Sequence, residues 1–91
     1  MKPPEIIVQE AFAISGHGAG IRPEQELPPQ LFGLSFEVEW TALNGTPRTA
    51  RGSVESLLLN TTPPREVFTY LLHGVPASDI SPGTVLRARN V

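Results

Sequence analysis

The sequence predicts an all-β protein: one small, closed or nearly closed Greek-key-type β-barrel of about six or seven strands, spanning residues 1–91 as a single domain. Three observations lead there. Ten prolines and eight glycines, clustered at Pro3-Pro4, 16–20, Pro28-Pro29 and Pro63-Pro64, leave few stretches that could hold a ten-residue helix. Between the clusters, apolar residues alternate with polar ones, the two-residue period of a strand with one buried face. A small sheet without covering helices protects its edges best by closing on itself.

The elements follow in order. Residues 6–14 read as a strand with Ile6, Val8, Phe12 and Ile14 on one face and Glu10 as the exception. The run Ser15-Gly16-His17-Gly18-Ala19-Gly20 breaks it. In residues 21–31, Pro23, Pro28 and Pro29 deny a regular ladder, which leaves an edge strand or an ordered loop. Residues 34–43 alternate strictly, with Leu34, Phe36, Val38, Trp40 and Ala42 facing inward.

Asn44-Gly45 signals a hairpin. A two-residue loop would set Trp40 opposite Thr49 and mix the faces, because a one-residue slip exchanges them. A three-residue loop at 44–46 sets Trp40 against Ala50, Val38 against Gly52, Phe36 against Val54 and Glu39 against Arg51. The next strand then runs over 48–58. A loop at 60–64 leads to a β-prone run at 67–73, a tight turn at 76–80 of possible 3₁₀ form, and a last strand at 84–88. Val54, Leu72, Val85 and Leu86 complete the expected core.

Composition narrows the chemistry. The absence of cysteine excludes disulfides and thiolate metal sites, and His17 and His73 lack metal-ligand spacing. A net charge of -2 supplies no basic footprint for nucleic acid. No apolar run reaches the ~20 residues that span a bilayer, and Met1-Lys2-Pro3-Pro4 lacks the apolar core of a signal peptide. The expectation is a monomeric cytoplasmic protein with no membrane association.

Candidate site residues each carry two readings. Gly16, His17 and Gly18 could cradle a phosphate through backbone N–H groups. Phosphate loops usually run into a helix N-terminus, and Pro23 follows here instead, which favours a plain turn. Glu55 falls on the wet face, either solvated or contacting a ligand. Trp40 belongs to the apolar stripe and so to the core rather than to a stacked base. The Tyr70 hydroxyl reaches for the rim, and His73 hydrogen-bonds at the Gly74 turn. Arg87 with Arg89, and Arg48 with Arg51, form two small basic pairs.

Taken together, residues 8–86 resemble the second, β-barrel domain of elongation factor Tu and related translation GTPases. The matching stretches are Val8 to Gly18, Gly33 to Val38, Ser53-Val54-Glu55-Ser56-Leu57, Leu71-Leu72-His73-Gly74-Val75, Asp79-Ile80 and Gly83-Thr84-Val85-Leu86. In that family the barrel helps hold the 3′ end of aminoacyl-tRNA through a glutamate and an arginine. Glu55 matches the glutamate, and Leu58 stands where the arginine would be. His17 stands where relatives carry a basic residue. The phosphate loop G-x-x-x-x-G-K-S/T is absent, so no GTP binding or hydrolysis is expected of these residues. The resemblance implies a non-enzymatic binding module without cofactor or metal. Its partner would be RNA, a ribosomal component or, in the alternative, another protein that it joins as an adaptor.

Overall fold

The computed structural model describes residues 5–89; the expectation for Met1–Pro4 lies outside them. The strands are β1 (Ile6–Ile14), β2 (Gly18–Pro23), β3 (Ser35–Thr41), β4 (Pro47–Leu59), β5 (Arg65–His73) and β6 (Val85–Ala88), with single 3₁₀ turns at Pro29–Leu31 and Ala77–Asp79. All neighbours are antiparallel, and the order β1-β2-β5-β4-β3-β6 closes into a barrel. The barrel expected from the sequence is therefore present, with six strands.

Its interior is filled by Ile6, Val8, Ile21, Val38, Trp40, Val54, Tyr70, Leu72, Leu86 and Ala88, with Phe36 and Ala50 packed against them. Residues 24–33 close one end. Glu24 N donates to Ile7 O at 2.9 Å, Leu27 N to Phe68 O at 2.8 Å, and Gly33 N to Val54 O at 2.9 Å. Leu27 and Leu31 drop from this crossing into the core. The prolines thus mark a plug, where sequence periodicity showed only irregularity, and β2 itself precedes it.

Five expectations are corrected. The first concerns Phe12 and Ile14, expected inside. A bulge between Val8 and Glu10 adds one residue to β1, and an extra residue exchanges the faces beyond it. Ala11 then turns to the core, while Phe12 and Ile14 lie half-buried on the outer surface. There they cover the space a side chain on Gly20 would take.

The second is Val85, which pairs with Ile7 outside the barrel while Leu86 pairs with Ile6 inside. The third is the β3–β4 register. Gly45 N donates to Ala42 O and Ala42 N to Thr46 O, both at 2.9 Å, so the three-residue loop is 43–45. Trp40 consequently opposes Arg48, Val38 opposes Ala50, Phe36 opposes Gly52 and Glu39 opposes Thr49. The offset is two residues, so the buried face survives. The fourth is Tyr70, whose hydroxyl is buried rather than at the rim. The fifth is Leu34, expected on the inward face, which precedes β3 and is exposed.

Candidate functional site

β1 and β2 meet in a tight turn in which His17 N donates to Ile14 O at 3.0 Å. Gly74 N donates to His17 O at 2.9 Å, which fastens the turn to the end of β5. Gly16 bends the chain at φ 78°, with open space around it. Gly18 is required by packing, since at its φ of 148° a Cβ would stand 2.0 Å from Leu72 O. The strands approach this closely only because residue 18 has no side chain. His17 is exposed, at the turn's tip.

Alternation and register place the outer face of four neighbouring strands in rows. Ser53 opposes Leu71, Leu71 opposes Gly20, and Gly20 opposes Phe12. One step towards the turn, Gly18 opposes His73. Arg51 falls beside His73 on the other flank, because Gly52 opposes Leu72. One step the other way, Glu55 opposes Thr69, whose hydroxyl donates to Ile21 O at 2.8 Å.

Glu55 and the Gly16–His17–Gly18 turn therefore share a face without touching. They lie two strands and four residues apart, about 17 Å between the Cα atoms of Gly18 and Glu55. Beside the turn stand His73, Ser53 and Arg51. His73 Nε2 lies 2.8 Å from Ser53 Oγ, a half-buried contact, so His73 bonds across to β4 rather than capping Gly74. Ser53 is almost fully enclosed, and no carboxylate among the described residues hydrogen-bonds His73. The pair thus has the spacing of a nucleophile and base but no third group to orient it. It ties β4 to β5.

A shallow groove of about 430 Å³ continues the face across β3 and β4, lined by Ser35, Phe36, Glu37, Thr49, Ala50 and Arg51. Arg51 is exposed and forms no ion pair among the described residues, unlike the other three arginines read as basic pairs. Arg48 is 3.3 Å from Asp79, Arg87 is 3.9 Å from Glu5, and Arg89 contacts both Glu37 and Glu39. The Arg87–Arg89 pair is thus neutralised, and of the Arg48–Arg51 pair only Arg51 is left without a carboxylate among the described residues.

Ser53 belongs to this face without having been singled out as a site residue, Arg51 having been read only as half of a basic pair and Phe12 as core. Their signal is parity, readable only once the pairing of β4 with β5 and the β1 bulge are known. Comparison with protein-family models, curated proteins and solved structures yields no match.

Proposed function

We propose that the protein is a non-enzymatic binding module that holds the single-stranded end of an RNA on the outer face of β2, β5 and β4. The carrying observation is the row formed by Gly18, His73 and Arg51, with Glu55 farther along the same face. Arg51 offers a guanidinium not committed to a carboxylate, and the turn offers the exposed imidazole of His17. The span of about 17 Å suits a few extended nucleotides rather than one. The resemblance to the translation-factor barrel, carried by Glu55 and the closing strands, supports the same reading, and nothing in it calls for GTP or a metal.

Isotope-labelled protein titrated with a short oligonucleotide ending in CCA tests this. The expected result is amide shifts confined to the surroundings of His17, Arg51, His73 and Glu55, weakened at least tenfold in Arg51→Ala and in Glu55→Ala. Flat spectra at high ligand excess would reject it.

One observation favours a second reading, a protein-binding adaptor. Four arginines (Arg48, Arg65, Arg87 and Arg89) are held by carboxylates of the same chain, and phosphate-rich partners draw their affinity from uncommitted cations. A polypeptide partner needs no such reserve.

A further inference from the structure

The barrel closes around β3 only as far as Val54. Val54 N donates to Leu34 O at 2.8 Å and Val54 O accepts from Gly33 N at 2.9 Å, so this residue's backbone points at β3. In an antiparallel ladder the backbone groups alternate sides. Those of Ser56 and Leu58 must point the same way as Val54. Yet β3 pairs with β4 only between Pro47 and Ser53, and no backbone partner among the described residues meets Ser56 or Leu58 on that side. The β4–β5 ribbon continues to Leu59 and Arg65, past the end of β3. Its β4 edge is open.

The surroundings of this edge are apolar where natural edges are usually blunted with charge. Leu58 is 69% exposed, Phe32 53% and Leu34 48%. Phe32 packs edge-on against Phe68 with ring centroids 5.8 Å apart, and Phe68 opposes Ser56. On the other face of the same ribbon lies Glu55, and Glu66 stands opposite Leu58. Neither has a cation within 4.0 Å among the described residues, while Arg65 nearby is engaged by Glu26 at 3.7 Å.

From these observations we infer that the open edge of β4 at Ser56 and Leu58 receives an extended polypeptide segment of alternating apolar and basic residues, added as a further strand. This rests on the protein-partner reading. Strand addition supplies main-chain bonds to Ser56 and Leu58, and alternate side chains reach opposite faces. Apolar side chains then lie over Leu58 and Phe32, and basic ones meet Glu55. A second copy of this chain is disfavoured, because pairing two such edges brings the carboxylates of both within a Debye length.

The full chain, isotope-labelled, would be titrated with a blocked octapeptide of alternating valine and lysine. Controls are the valine–glutamate octapeptide and a valine–lysine octapeptide N-methylated at every residue. The valine–lysine peptide should shift the amides of Ser56 and Leu58 and slow their hydrogen exchange at least tenfold. N-methylation should abolish this, and the glutamate peptide should bind at least tenfold more weakly. Leu58→Lys and Glu55→Lys change side chains outside the core, keep the fold by circular dichroism, and should each weaken binding at least tenfold. Shifts confined to another surface would overturn the edge site and leave the adaptor reading standing. Equal response to both charges, no response at millimolar peptide, or self-association protecting Ser56 and Leu58 in the free protein would each overturn the inference.

Discussion

Among the described residues, Tyr70 is the largest fully buried side chain, and its hydroxyl has no hydrogen-bond partner. A buried polar group left unpaired costs about 1–3 kcal/mol, so the ring stabilises the barrel while the oxygen works against it. Tyr70→Phe keeps the ring and removes the oxygen. The variant should gain about 1 kcal/mol, raising Tm by about 4–8 °C in a domain of this size. Burial also pushes the phenol from its ordinary 10.0 up to about 12. The folded state thus holds the proton more tightly than the unfolded chain. That contribution is whole below pH 10 and is lost as pH rises towards 12. Urea titrations across this range should show the parent losing stability with pH more steeply than Tyr70→Phe. Parallel curves would mean that the hydroxyl is solvated. Trp40 Nε1 is likewise buried without a partner among the described residues, but the indole fills too much of the interior for a comparable exchange.

At the scale of the strand, glycine separates architecture from ligand binding at the β1–β2 turn. Gly18→Ala would drive a Cβ into Leu72 O, backbone that cannot swing aside, and should cost about 3 kcal/mol. Gly16→Ala meets no atom within 4 Å and pays only for its φ of 78°, about 1 kcal/mol. Urea midpoints at unchanged slope would measure both, and equal costs would mean that the strands separate at Gly18. The same segment shows what the sequence could and could not disclose. Strict alternation identified β3 and its buried face from Phe36 to Trp40, though it carried the face one step too far, to the exposed Leu34. It could not fix the partners, because a shift of two residues preserves every face: Asn44 Oδ1 accepts from Thr46 N, and Gly45 takes the positive φ, so the loop sits one residue earlier than the dipeptide implied. In β1 the alternation misled, since the bulge re-aims Phe12 and Ile14 without any mark in composition. The glycine turn and Glu55 were legible as candidates. The contact between Ser53 and His73 was not, because it depends on how two strands joined across residues 60–64 slide past each other.

Across the whole molecule, charge arrangement decides what kind of RNA binding is possible. Of the described arginines, Arg48, Arg65, Arg87 and Arg89 pair with acids, at side-chain exposures of 43–67%. Surface pairs of this kind contribute about 0–1 kcal/mol each, so they do little for the fold. What they change is availability. A phosphate approaching any of these four must compete with a carboxylate already in place. Arg22 and Arg51 alone among the described arginines lack such a competitor, and only Arg51 adjoins the row of Gly18 and His73. One or two phosphates neutralised correspond to a logarithmic salt slope of about -0.7 to -1.4 for a single strand. Affinity for a labelled oligonucleotide, followed by fluorescence anisotropy, should then fall only about three- to sevenfold between 50 and 200 mM salt. A slope steeper than about -3 would require the paired arginines to leave their carboxylates on binding. In that case Glu37→Gln, which releases one of the two acids holding Arg89, should strengthen binding at low salt. If the shallow slope holds, the same substitution should leave the affinity unchanged, and recognition rests on Arg51, His17 and Glu55 rather than on the molecule's overall field.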